Sequence, residues 1–159
     1  MSDPEYLLDT SALMALLLNE PGADLVSEIL DGSSIHAVNL AEIVRKLVSA
    51  GFPIDALIER LSDLNLEVIE KFSTEQAHAM GRIAVEAKRL GLSLGDCVCL
   101  TVAEWLGMVA VTTEQRWSEL GRGIKILQIR PPVEKGLGPA PPKRPGKRDR
   151  HEQTEAPEP

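Results

Sequence analysis

Aromatic residues are scarce, 3% of a 159-residue chain, so Leu, Val, Ile and Ala must fill the core. Apolar residues still make up 43%, enough for one properly buried domain. Long apolar runs are lacking. Near the start, Ala12 to Leu18 falls far short of a bilayer span, so no membrane association is expected. The opening Met1-Ser2-Asp3-Pro4-Glu5 is acidic and lacks the basic region of a secretory signal, which points to the cytoplasm. Cysteine is rare too. Cys97 and Cys99 stand two apart, and such neighbours on a helix point in different directions, which argues against a disulfide or a shared metal. They read as buried thiols in a reducing compartment.

Basic charge is in deficit, with a formal net charge of −7. Residues 131–159 hold six basic and five acidic residues, leaving eleven basic and nineteen acidic residues, a balance of −8, in residues 1–130. Bulk charge therefore argues against nucleic-acid binding. A cation held in an acidic pocket reverses the local sign, so phosphate remains an open ligand class.

What is present is an alternation of strand and helix signals. Tyr6-Leu7-Leu8-Asp9 reads as a buried strand ending in an acid. Thr10 or Ser11 caps a helix from Ala12 to Leu18, and Pro21 starts a second helix through Leu30. Ser34 to Val38 reads as a strand, and Asn39 opens a helix to about Ala50. A helix from Pro53 to Leu64 and a strand from Leu66 to Ile69 follow. Ser73-Thr74-Glu75-Gln76 resembles a capping box for one long helix ending near Gly91. Ser93 or Gly95 precedes a helix ending at Leu106-Gly107. Met108 to Val111, a short helix around Trp117, and Ile124 to Ile129 complete the series. This order predicts an α/β fold with a central, mostly parallel sheet covered on both faces. Residues 1–130 form the domain. From Pro139 onward Pro and charge replace the apolar pattern, and 131–159 reads as a disordered tail.

Four acids occupy special places. Asp9 ends the first strand, Glu42 lies in the first turn of the helix after the second, Asp96 opens the helix before the fourth, and Glu114 follows the fourth. Ligand crevices in open α/β sheets lie outside the carboxyl ends of the strands, where Asp9, Glu42 and Glu114 would fall. Asp96 joins them if its helix starts at that edge. Converging carboxylates stay ionised together around a cation. An all-oxygen donor set favours Mg²⁺ or Mn²⁺ over zinc. Each acid also has an ordinary local reading: Glu42 and Asp96 in capping boxes, Glu114 at a helix N-terminus, Asp9 in a turn.

The local motifs favour the metal reading. Leu7-Leu8-Asp9-Thr10-Ser11-Ala12-Leu13 resembles the opening of PIN-domain ribonucleases, and Glu20-Pro21-Gly22 follows at a familiar distance. Asn39-Leu40-Ala41-Glu42-Ile43, Leu92-Ser93-Leu94-Gly95-Asp96-Cys97 and Val111-Thr112-Thr113-Glu114-Gln115-Arg116-Trp117 are similar to their later acid segments. Order and spacing agree over nearly all of residues 6–130, and the likeness is greatest to VapC-like toxins of toxin–antitoxin pairs. The resemblance implies a three-layer α/β/α PIN sandwich and Mg²⁺- or Mn²⁺-dependent endoribonuclease activity. It makes Asp9, Glu42 and Asp96 the core metal and catalytic acids, with Glu114 as the fourth. It also implies a small cognate antitoxin and a homodimer. The fourth segment usually carries Asp where this chain has Glu114. A non-catalytic PIN-like module binding RNA or antitoxin is the alternative. A haloacid-dehalogenase-like phosphatase would want an acid where Ser11 stands, and a receiver domain would want adjacent acids near the first strand; both patterns are absent.

Ser11 and Thr112 are candidates to orient the acids, though caps and turn hydroxyls are the commoner reading. Arg116 reads as an exposed helix residue with phosphate contact as the rival. Trp117 reads as packing, and His36 and His78 as structural. The basic cluster from Lys143 to Arg150 reads as solvated tail.

Overall fold

The computed structural model describes residues 5–131. The expected tail and its basic cluster lie outside that range from residue 132 onward. Five short strands form: β1 (Tyr6–Leu8), β2 (Ser33–His36), β3 (Glu67–Ile69), β4 (Val109–Thr112) and β5 (Ile126–Gln128). They pair in parallel in the order β3-β2-β1-β4-β5. Between them run α1 (Thr10–Leu18), α2 (Ala23–Ile29), α3 (Ala37–Ser49), α4 (Ile54–Asp63), α5 (Thr74–Met80), α6 (Ala84–Leu90) and α7 (Leu94–Leu106). Short 3₁₀ helices lie at Leu30–Gly32 and Gln115–Glu119.

Alternation along the strands builds two cores. Leu8, Ile35 and Val111 are buried with Leu13, Ile43 and Leu47 of α1 and α3. Leu7 and Ala110 serve the other face, with Val98 and Leu100 of α7 and with Trp117. Sheet and two helical layers make the expected α/β/α sandwich. Cys97 and Cys99 are free and buried. Among the described residues, no helix is long and apolar enough to cross a membrane.

Several boundaries differ from expectation. Asp9 itself caps α1, its side chain accepting from Ala12 N, because Asp9 keeps an extended backbone and Thr10 is already helical. β2 stops at His36, whose ring accepts from Val38 N and caps α3. Asn39 is thus inside the helix rather than at its cap, and Glu42 lies beyond the first turn. The single helix expected from Ser73 to Gly91 is two. The Ser73–Gln76 capping box is present, but i→i−3 bonds from Gly81, Arg82 and Ile83 tighten the chain and turn Ile83 into the core at 1% exposure. Glycine's poor helix propensity permits that break.

The second helix starts at Ala23 rather than Pro21, because Pro21 and Gly22 form a turn locked to the last strand. Arg130 donates to Pro21 O at 2.9 Å and pairs with Glu20 at 2.6 Å. Gly22 has φ +98, and a Cβ there would lie 2.7 Å from Ile129 O. Gly22→Ala is expected to destabilise the domain by about 2 kcal/mol or more, measured by urea denaturation.

Candidate functional site

β1 has β2 on one flank and β4 on the other, so the chain leaves β1 in one direction and returns to its other side only at β4. A crevice opens at the carboxyl ends of such strands. Asp9 follows β1, and its N–H continues the ladder to Val111 O at 3.0 Å. Thr112 ends β4, with Glu114 two residues on. Glu42 arrives from α3. Asp96 arrives because α7 begins at this edge, fixed by a capping box between Ser93 and Asp96. The structure thus brings all four sequence-derived acids to one cleft of about 210 Å³, together with Ser11, Lys46 and Arg116.

The two inner acids are held by neutral donors. Asp9 is 1% exposed. Its Oδ1 accepts from Ala12 N and Ser11 Oγ, both at 2.7 Å, and its Oδ2 from Thr112 Oγ1 at 2.6 Å. The two hydroxyls have fixed directions, because Ser11 Oγ accepts from Thr113 N and Thr112 Oγ1 from Glu114 N. Both therefore orient Asp9, beyond any cap or turn role. Burial pushes the Asp9 carboxyl up to about 6; its hydrogen bonds oppose this and the Asp96 charge adds to it. Asp96 Oδ2 accepts from Ser93 N at 2.7 Å. Its carboxyl is also raised, by burial first and then by the charges of Glu114 and Glu42, against the lowering effect of Ser93.

The two outer acids carry their own cations. Glu42 meets Lys46 Nζ at 2.9 Å and accepts from Thr10 Oγ1 at 2.9 Å. Burial alone would raise its carboxyl, but Lys46 and Thr10 bring it below the usual value. Glu114 pairs with Arg116 at 2.9 Å, and Arg116 also donates to Leu90 O at 2.7 Å. Arg116 is thus exposed on its short helix, as expected, and is also anchored at the rim of the cleft. Trp117 is fully buried. His36 caps α3, and His78 lies on the exposed side of α5.

Sequence reasoning missed Lys46, Thr10 as a Glu42 partner, Asn39 and Gly95. Only Lys46 left a plain signal, its i,i+4 spacing from Glu42. Gly95 is the point where α7 meets α3: a Cβ on it would lie 2.6 Å from Glu42 Oε2.

Repulsion among Asp9, Asp96, Glu42 and Glu114, all-oxygen donors and room for water suit a hard cation. Among the described residues, no three acids stand close enough to ligate one ion directly. The residues therefore fit an ion taking one or two carboxylates and several waters, which is how Mg²⁺ prefers to bind. They do not fit a closed three-ligand cage.

Known proteins agree with this architecture. The PIN domain family matches residues 6–123. No curated protein sequence is a match. Among solved structures, VapBC2 of Rickettsia felis bound to a DNA fragment from its promoter aligns at TM-score 0.61 and 18% identity, covering 77% of this chain and 97% of that one. DNA-bound VapBC of Salmonella typhimurium aligns at TM-score 0.60 and 20% identity, covering 80% and 99%. VapBC-1 of nontypeable Haemophilus influenzae aligns at TM-score 0.58 and 20% identity, covering 78% and 97%. At these identities the structural likeness speaks for the fold, and the match over residues 6–123 speaks for the family: the chain belongs to the PIN domain family.

Proposed function

We propose that this chain is a Mg²⁺- or Mn²⁺-dependent endoribonuclease that hydrolyses RNA phosphodiester bonds, and the toxin of a toxin–antitoxin pair. The observation that carries this reading is that four acids from four separate segments line one cleft. A divalent cation held there supplies Lewis acidity, making water more acidic and offsetting charge that gathers on a phosphodiester oxygen. Asp9 and Asp96 are the proposed ion ligands, because no basic side chain pairs with either among the described residues. Glu42 and Glu114 hold surrounding water or take part as further ligands. Ser11 and Thr112 keep the Asp9 carboxylate turned into the cleft. Lys46 and Arg116 stand at the rim, where phosphate would enter. No covalent enzyme intermediate is needed.

The toxin reading draws on the VapBC relatives, which are paired assemblies. It carries with it a small cognate antitoxin, a homodimer and a cytoplasmic setting. An apolar groove of about 400 Å³, lined by Leu40, Val44, Ile58, Leu61, Leu66 and Val68, offers a surface suited to an amphipathic partner segment. Incubation with structured RNAs should give cleavage with Mg²⁺ or Mn²⁺ and none with EDTA. The rival is a non-catalytic module that binds RNA or antitoxin. It takes support from Glu114 being already paired with Arg116, and it predicts binding without turnover at any Mg²⁺ or Mn²⁺ concentration.

Gly95→Ala separates this site from the fold. Alanine favours the helix, but its methyl must displace the Glu42 carboxylate. Cleavage is expected to fall about tenfold with the melting temperature held or raised. Unchanged cleavage would mean that the position of Glu42 is immaterial.

A further inference from the structure

Asn39 is 1% exposed and lies on α3, one turn before Glu42. Its Nδ2 donates to Gly95 O at 3.1 Å and to Thr10 Oγ1 at 3.3 Å. The Thr10 hydroxyl in turn donates to Glu42 Oε2 at 2.9 Å. Gly95 immediately precedes Asp96, and Thr10 immediately follows Asp9. One buried amide therefore ties together the three segments that present Asp9, Glu42 and Asp96. The fit is tight, since a Cβ on Gly95 would also lie 3.4 Å from Asn39 Nδ2.

A capping role does not explain this residue, because His36 is the cap. Packing does not explain it either. Asn39 Oδ1 is buried with no protein partner among the described residues, an arrangement that disfavours the fold. An apolar side chain would fill the space without leaving that atom orphaned. The amide earns its place through the two Nδ2 bonds, and both end on residues that touch or adjoin the acids.

We propose that Asn39 is a positioning residue for the acid cleft, holding Thr10 and Gly95 so that Asp9, Glu42 and Asp96 line one space for a hydrated divalent cation. This rests on the metal-dependent reading above. Asn39 touches neither ion nor substrate; it acts through the hydroxyl of Thr10 and the backbone of Gly95. Groups of this kind behind metal ligands set affinity as well as rate.

The test is calorimetric titration of the full chain with Mn²⁺ alone, with melting temperatures measured in parallel. Asn39→Ala and the near-isosteric Thr10→Val should each weaken Mn²⁺ binding about tenfold. Combined, they should weaken it little more than either alone, because both break one chain of bonds. Thr10→Ser, which keeps the hydroxyl, should bind close to wild type. If folded Asn39→Ala and Thr10→Val bind Mn²⁺ as wild type does, with only the melting temperature lowered, Asn39 is structural and the inference fails. Should Asn39→Ala not fold, the near-isosteric Asn39→Leu, which fills the space without the amide, decides in its place: wild-type Mn²⁺ binding in it overturns the inference. Asp9→Asn is the control that separates the two readings. Loss of Mn²⁺ in Asp9→Asn with none in the Asn39 and Thr10 variants overturns only the positioning role. A wild-type chain that binds no Mn²⁺ overturns both.

Discussion

Asp9→Asn is expected to lower RNA cleavage about a hundredfold or more while leaving the chain folded and more stable at neutral pH. The amide keeps the shape of the side chain and an acceptor for Ala12 N, so the start of α1 survives. It loses the charge that draws a cation. The stability gain follows from the position of Asp9. Its carboxyl is raised from 3.8 to about 6, a gap worth about 3 kcal/mol against the buried ionised form. For an acid raised on folding, this stabilisation is present below the unfolded value and lost as pH rises through the folded one. At neutral pH the wild-type chain therefore carries the whole penalty and the Asn variant carries none. The amide misfits one hydroxyl donor, costing about 1 kcal/mol, so a net gain of about 2 kcal/mol remains. Asp96→Asn should lose cleavage similarly, with Oδ1 still available to Ser93 N. Gel assays of RNA cleavage and urea denaturation check both halves. Wild-type rates in both variants would refute the mechanism, and a destabilised Asp9→Asn would refute the burial argument.

Acidification should separate metal binding from stability. Proton and cation compete for Asp9, so lowering the pH from neutral to about 5, through a folded value near 6, should weaken Mn²⁺ binding about tenfold. The raised carboxyl of Asp96 acts in the same direction. Over the same interval the Asp9 contribution to the stability of the metal-free chain improves, because protonation relieves the buried charge. The difference between wild type and Asp9→Asn isolates that contribution from the other titrating groups. The advantage of Asp9→Asn should shrink as pH falls from neutral and reverse to a small deficit of about 1 kcal/mol or less near pH 4, where only the misfit hydroxyl remains. Calorimetry with Mn²⁺ and urea denaturation across that range read the two trends. A stability difference that grows on acidification would mean Asp9 is stabilised as a charge by its hydroxyl partners.

The strands and the four acids were legible because their signals are local. An apolar run ending in Asp9 is visible without tertiary information, and Ser93-Leu94-Gly95-Asp96 shows its capping box in four letters. Asn39 looks like a cap because Asn favours that position, yet β2 stops at His36 and the ring nitrogen takes that role. The break at Gly81 was hidden because apolar spacing continues across it; burial of Ile83 decides it. Whether Asp96 joins the other acids depends on which sheet edge α7 starts from, and only the three-dimensional path answers that. Lys46 and Arg116 look like solvated helix charges in sequence. Their meaning comes from the carboxylates that other segments bring beside them. Thr10 and Gly95 carry no chemical signature, since their role is to meet Glu42 and Asn39 across a helix contact.

Asp9 and Asp96 line one cleft, and the proposed nuclease chemistry needs them to share a hard cation there. Anomalous diffraction from crystals grown with saturating Mn²⁺ tests it most directly. A manganese peak is expected in the cleft, bonded to Asp9, Asp96 or both and lost in Asp9→Asn. An empty cleft, or a peak that survives undiminished in both Asp9→Asn and Asp96→Asn, would contradict it.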